Sequence, residues 1–309
     1  MLAVASVPVG TAAGATSATR AAAPAVRRSA AELLAGSSPG DWRPLDPQNT
    51  LYMELASGRV VIELAPRFAP LHVANIRALA AAGYFDGLAI VRVQDNYVVQ
   101  WADPDGRRPV PPNVTKVAAE FDSAIPAHMP FTPLPDGDVY APRVGFTDGF
   151  PVALDSRHDR TWLLHCYGMV GVGRDDDAES SGTELYAVIG HAPRHLDRNV
   201  ALVGRVVSGI EHLSSLPRGS DALGFYAKNE TPVPIRTLKL AADVPPAERS
   251  DLEVVRTDSH LFKDLIEARR NRPEEWFKTK AGRIDVCNVP IPVRTRPAPP
   301  AAAALQPTR

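Results

Sequence analysis

Cysteine is nearly absent: Cys166 and Cys287 are the only two in 309 residues. A disulfide-laced scaffold and a four-cysteine zinc site are thereby excluded. The pair could close a single bridge, worth about 4–5 kcal/mol for so long a loop in the chain-entropy model; two buried free thiols are the plainer expectation. Charge of one sign is also lacking. With 34 basic against 35 acidic residues the net charge is −1, so no basic surplus exists to neutralise phosphates and nucleic acid is not an expected partner. No run approaches the ~18 uninterrupted apolar residues of a membrane span. The 8 histidines include no H-x-x-x-H pair with a third ligand, and neither a metal nor any other cofactor is expected.

Proline is the opposite case. The 30 prolines are about twice the usual ~5%. Each removes a backbone donor and fixes φ, which excludes a helical bundle. Hydrophobic residues at 45% and charged residues at 22% are otherwise those of a globular chain.

The opening MLAVASVPVG has no basic residue before its apolar run, which Pro8 interrupts, while Ala21-Ala22-Ala23 suits a cleavage site. Residues 1–48 read as a flexible leader, with export to the periplasm as the expectation and a cytoplasmic protein with an unstructured leader as the alternative. From Pro297 the tail PAPPAAAALQPTR is of low complexity and cannot bury a core.

Order begins near residue 50. Leu51–Leu55 and Arg59–Leu64 alternate around Ser57-Gly58, which predicts a hairpin. From Leu71 the residues Val73, Ile76, Leu79 and Ala80 recur at helical spacing, and Gly83 closes the segment. Short strands are predicted at Leu88–Val93, Tyr97–Trp101, Trp162–Cys166, Leu185–Ile189, Val200–Val207 and Val233–Leu240, with a second short helix at Gly209–Leu216. Many short strands and two helices point to an all-β barrel or sandwich. Residues 104–160, broken by prolines, glycines and acidic turns, read as a long excursion over its surface. Beyond Ala242, Asp258 or Ser259 caps a predicted helix through Leu261, Leu265 and Ile266 to Arg270, before Pro273.

Four blocks then carry a family likeness. Ala69-Pro70-Leu71-His72-Val73-Ala74-Asn75-Ile76-Arg77-Ala78-Leu79 is similar to P-x-T-x-x-N-F-x-x-L. Gly83-Tyr84-Phe85-Asp86-Gly87 with Ile90-Val91-Arg92, then Tyr97-Val98-Val99-Gln100-Trp101-Ala102-Asp103, is similar to Y-x-G-x-x-F-H-R and F-x-x-Q-G-G-D. Gly182-Thr183-Glu184-Leu185-Tyr186-Ala187-Val188 is similar to G-S-Q-F-F-I, and His195-Leu196-Asp197-Arg198-Asn199-Val200-Ala201-Leu202-Val203-Gly204-Arg205-Val206 to W-L-D-G-K-H-V-V-F-G-x-V. In this order the blocks resemble the cyclophilins, peptidyl-prolyl cis-trans isomerases. The resemblance implies a mainly β protein built on a closed antiparallel β-barrel capped by two helices. The barrel would span 49–242, with 104–160 as a loop insertion, 243–294 as a C-terminal extension and 295–309 as a disordered tail.

Rotation about an X–Pro bond faces a resonance barrier of about 18–20 kcal/mol. It needs no nucleophile or metal, only a site that prefers the twisted amide. The twisted prolyl nitrogen regains its lone pair, and a fixed guanidinium is a suited donor to it. By resemblance Arg92 is that donor and Gln100 orients it and the peptide, while Tyr97, Val98, Glu184, Tyr186, His195 and Leu196 bind the substrate, a proline-containing peptide or folding polypeptide. The chain departs from the family pattern at Val91 and Val200 (histidine in both), His195 (tryptophan), Glu184 (glutamine) and Gly171 (asparagine). The pocket is therefore expected to be more aliphatic, with a negative charge at its rim. Three other readings compete: a barrel kept only to bind proline-containing segments, with weak or no catalysis; a thiol hydrolase using His165-Cys166; and a phosphate cradle at Gly168–Gly173 with Arg174. Neighbouring strand residues point to opposite faces, which counts against the second. The last lacks a G-K-[ST] ending.

Overall fold

The computed structural model describes residues 28–103 and 105–297. The cleavage site near Ala21 and the tail beyond Pro297 lie outside them. Within the stretch read as a leader, α1 (Ala30–Ala35) is capped by Ser29, whose hydroxyl accepts from the Glu32 N–H while the Glu32 carboxylate accepts from the Ser29 N–H. β1 (Trp42–Pro44) follows, and Leu33 and Trp42 are buried.

The predicted hairpin forms as β2 (Thr50–Glu54) and β3 (Arg59–Leu64), paired antiparallel. Its turn needs glycine: Gly58 has φ +146°, and a Cβ there would meet the His212 ring at 2.3 Å. The predicted helix is α2 (Pro70–Ala81), which buries Val73, Ile76 and Leu79 and ends before Gly83 at φ +66°. Its motif residues tie down the insertion. Asn75 Nδ2 donates to the Thr115 and Ser181 carbonyls, and Glu120 accepts from the Leu71 and His72 N–H groups and contacts the His72 ring at 2.6 Å. Burial pushes the Glu120 carboxyl up, but these contacts outweigh it and hold its pKa below 4.5.

β4 (Ala89–Val93) and β5 (Val98–Ala102) come next. The 104–160 stretch is not an irregular excursion. It carries β6 (Thr132–Leu134), β7 (Arg143–Thr147) and β8 (Phe150–Asp155), which join β9 (Arg160–Leu163) in a four-stranded antiparallel sheet. The main sheet resumes with β10 (Met169–Val172), β11 (Leu185–Val188) and β12 (Leu202–Ser208). α3 (Glu211–Ser214) is a single turn, and β13 (Val233–Pro234) and β14 (Thr237–Leu240) complete the sheet. The extension holds β15 (Leu252–Val255), α4 (His260–Asn271), capped by Ser259, the second of the two expected candidates, and β16 (Val293–Thr295). β15 lies between β1 and β16 in a third sheet.

The main sheet has nine strands in the order β13-β4-β5-β11-β10-β12-β3-β2-β14 and curls into a half-barrel. It is not the closed barrel that was expected. Both edges come from one segment: the chain leaves β4 after Pro234 and joins β2 at Thr237, with Ile235 bonded to Leu88 and Arg236 to Glu54 on the way. β13 spans two residues, one of them a proline without an N–H, so the segment serves each edge in turn and never forms a closing ladder. The expected pair of helices is also exceeded, since four α-helices lie among the described residues. None is long and apolar enough to cross a membrane.

Two large cores result. One fills the curled sheet beneath α2, with Met53, Ile62, Ile76, Phe85 and Trp101 fully buried. The other joins the insertion to the extension and to α1, with Phe146, Trp162, Phe262 and Val286. This shared core brings Cys287 against Cys166. The two are disulfide-bonded with Cα atoms 5.0 Å apart across 121 residues, not the free thiols that were expected.

Candidate active site

Strand register assembles the site. β4 and β5 place Arg92 opposite Gln100, and β5 and β11 place Gln100 opposite Tyr186. Cross-strand partners share a face, so an arginine, an amide and a phenol form one row across three strands. Val98, opposite Val188, continues that face into a small apolar cluster flanked by Tyr97 and Val200. Above the row lies a groove of about 450 Å³. Arg92, Tyr97, Val98, Gln100, Glu184, Tyr186 and Leu196 all line it, so seven of the eight expected residues meet there. His195 does not; its ring stacks parallel to Tyr97, with centroids 6.4 Å apart. No residue of 104–160 or of the extension lines the groove among those described.

Arg92 is held from several sides. Its Nε donates to the Leu223 carbonyl at 2.7 Å, Nη1 to Gln100 Oε1 at 3.3 Å and Nη2 to Gln94 Oε1. The guanidinium sits 5.6 Å from the Tyr97 ring centroid and 5.4 Å from that of Phe225. Burial lowers its pKa, yet a guanidinium keeps its charge in proteins. Nη1 and Nη2 each retain a second N–H without a partner, so a fixed donor remains available at the groove. Gln100 in turn donates through Nε2 to Glu184 at 3.1 Å, and Glu184 is exposed at the rim.

Leu223, Phe225 and Gln94 were missed in the sequence. Leu223 adopts φ +57°, a left-handed conformation costly for a branched side chain, and this turns its carbonyl toward Arg92. Two exposed apolar residues around Gly224, Leu223 at 66% and Phe225 at 38%, were the available signal.

Beneath the groove a polar chain is buried. The Tyr186 hydroxyl lies 2.9 Å from His165 Nε2, and His165 Nδ1 lies 2.9 Å from Asp197 Oδ1. Arg194 donates to Asp197 at 2.5 Å and through both Nη atoms to Asp138 at 2.8 and 3.0 Å. Asp138 belongs to the insertion, so the chain links the groove floor to the second sheet. With Nδ1–H donating to the Asp197 carboxylate, Nε2 is left to accept from the tyrosine hydroxyl; burial also pushes the phenol pKa up. Tyr186 fills the space a side chain at position 171 would need: a Cβ on Gly171 would fall 2.3 Å from its ring. With His165 engaged here and Cys166 in a disulfide, the thiol-hydrolase reading is overturned. The proposed phosphate cradle is equally absent, since Met169–Val172 is the strand β10, paired antiparallel on both sides.

Burial holds the His165 imidazole below its ordinary pKa of 6.5, against the pull of Asp197. Below that value the unfolded chain binds this proton more readily than the folded one. Stability from this site is therefore whole above pH 6.5 and is lost as acidification approaches the lower, folded pKa. His165→Gln is expected to lower the melting temperature near neutral pH, yet to flatten its decline between about pH 7 and 5. Thermal unfolding across that range checks this; an equally steep decline in the variant would assign the acid sensitivity elsewhere.

Comparison with known proteins follows the same lines. A family model described as cyclophilin type peptidyl-prolyl cis-trans isomerase/CLD matches residues 50–240. Proteins named probable peptidyl-prolyl cis-trans isomerase from Brucella suis and Brucella melitensis are each 27% identical over 184 residues, covering 60% of this chain and 79% of theirs. The crystal structure of cyclophilin AquaCyp293 from Hirschia baltica superposes with a TM-score of 0.67 at 28% identity, over 83% of this chain and 94% of that one. That coverage exceeds the span of 50–240, so the likeness takes in part of the flanking segments.

Proposed function

The chain belongs to the cyclophilin-type peptidyl-prolyl cis-trans isomerase family and isomerises X–Pro bonds, and from that premise we propose that the groove between Arg92 and Tyr186 is where it does so. The observation that carries this reading is the register-fixed Arg92, with N–H groups left free beside an apolar floor. The prolyl ring sits among Tyr97, Val98, Tyr186, Leu196 and Val200. As the amide twists, its nitrogen regains a lone pair and accepts from Arg92, a bond neither planar isomer can make, which is how binding lowers the barrier. Gln100 holds the guanidinium from one side and positions the peptide. His195 supports Tyr97 from outside the groove. Substrates are proline-containing segments of peptides and of folding polypeptides. A groove kept for binding alone would suit a site filled by the insertion or the extension, and neither lines it.

Glu184 supplies selectivity. Its exposed carboxylate at the rim favours substrates carrying Lys or Arg near the proline. Among Ala-X-Pro-Phe peptides, kcat/KM is expected to be about two- to five-fold higher for X = Lys than for X = Glu at low salt, as for an exposed ion pair. Glu184→Gln should level the two. Equal rates for both peptides in the wild type would remove Glu184 from substrate selection, without touching the role of Arg92.

We also propose that the protein resides in the periplasm, a reading supported by the Cys166–Cys287 pairing, since such bonds persist in oxidising compartments. Periplasmic fractionation of cells expressing the full chain, with thiol labelling of the two cysteines, tests this.

A further inference from the structure

A second cavity, which shares no residue with the groove, lies against the disulfide and also measures about 450 Å³. That is within the ~300–1,000 Å³ typical of small-ligand sites. Two arginines line it, and neither is neutralised in the usual way. Arg205, on β12, is 8% exposed, and its one carboxylate partner is Glu63 at 3.4 Å. Glu63 is nearer to Arg43, at 2.6 Å, so two guanidiniums share a single carboxylate. The Phe150 ring, 5.8 Å from the Arg205 guanidinium, is its other neighbour. Arg205 Nε is buried with no acceptor. Arg269, in the last turn of α4, makes no side-chain hydrogen bond or ion pair among the described residues, and its Nε is likewise buried and unpartnered.

Arginine cannot relieve this by losing its proton. Arg205 has only a share of Glu63 and the half-buried Arg269 has no carboxylate, so positive charge is left over where both line the same cavity. Beside the disulfide, Phe146, Met169, Val206, Val289 and Ile291 supply an apolar part of the wall, and Tyr167 and Asn288 stand among the other lining residues. Surplus positive charge within an apolar wall is complementary to an anion with an apolar body. A planar carboxylate matches the guanidinium fork, whereas a phosphate dianion would have to shed far more hydration to enter. We propose that this cavity binds a small aliphatic carboxylate, with its head accepting from Arg205 and Arg269 and its chain lying along Val206, Val289 and Ile291.

The experiment is calorimetric titration of the full-length protein with octanoate, with octanol as the neutral analogue and inorganic phosphate as the charge-only probe, each to about 1 mM. Octanoate is expected to bind at one site, and octanol and phosphate at least about ten-fold more weakly, since each lacks one of the two complementary features. Arg205 sits in a buried charge cluster, and replacing it can unfold the protein, so the deciding variant is Arg269→Gln on the half-buried helix end. It should lose about ten-fold in octanoate affinity while isomerising Ala-X-Pro-Phe as the wild type does. The proposal is overturned if octanoate does not bind, if octanol or phosphate binds as tightly, or if Arg269→Gln leaves octanoate affinity unchanged.

Discussion

Replacing Arg92 by alanine is expected to lower kcat/KM for Ala-X-Pro-Phe isomerisation about a hundred- to a thousand-fold, the usual consequence of deleting one preorganised transition-state donor. The size follows from how the guanidinium is held. Leu223, Gln94 and Gln100 occupy its Nε and one N–H on each Nη, and two aromatic rings flank it. Little reorganisation is therefore needed when the prolyl nitrogen becomes an acceptor. The loss should fall mainly on kcat, because the apolar floor that grips the ring in the ground state is untouched. Arg92→Lys should recover only part of it: a lysine keeps the charge but lacks the planar fork, and its three N–H groups cannot serve Leu223, Gln94, Gln100 and the substrate together. Exchange spectroscopy on cis and trans peptide at equilibrium measures the rates, and circular dichroism establishes that the sheet survives. Activity within about three-fold of wild type in Arg92→Ala would remove this residue from the chemistry.

Arg92, Gln100 and Tyr186 were legible through the family motifs that carry them, whereas their standing in one row came only with the strand register, Arg92 opposite Gln100 and Gln100 opposite Tyr186. The hairpin at Gly58 and α2 were legible as local patterns of period and punctuation, and the cap of α4 was narrowed to Asp258 or Ser259. What stayed hidden depends on contacts distant in sequence. Leu223 reaches Arg92 across 131 residues, and Arg194 reaches Asp138 across 56. The second sheet was concealed by its composition: Pro133 and Pro151 lie within β6 and β8, where prolines read as loop signals. The closed barrel failed on two residues of β13. His195, assigned to the pocket by position alone, turned out to back Tyr97 instead. Gly171 shows the converse, for its departure from the family pattern became explicable only when the Tyr186 ring was found against it, where a Cβ would clash.

Cys287→Ser is expected to lower the melting temperature by about 6–9 °C, from the ~4–5 kcal/mol of loop-closure entropy that a link across so long a loop removes from the unfolded chain. The 121-residue separation sets that scale. Cys287 is the residue to change because it is only half-buried, whereas Cys166 is 5% exposed and can stand as a small apolar side chain once freed. The bond fastens the extension to the insertion's core, and no residue of either lines the catalytic groove. Isomerase activity at 25 °C should therefore stay within about three-fold of wild type while the protein unfolds at a lower temperature. Reduction of the wild type should reproduce the variant's melting temperature, and reductant should leave the variant itself unchanged. If activity instead fell along with stability, the cause would run through the neighbouring residue. His165 precedes Cys166 and holds the Tyr186 hydroxyl, so loosening the disulfide would then reach the groove floor through the His165–Asp197–Arg194 chain. Repeating the measurement in His165→Gln separates the two routes: there, breaking the disulfide should change the melting temperature alone.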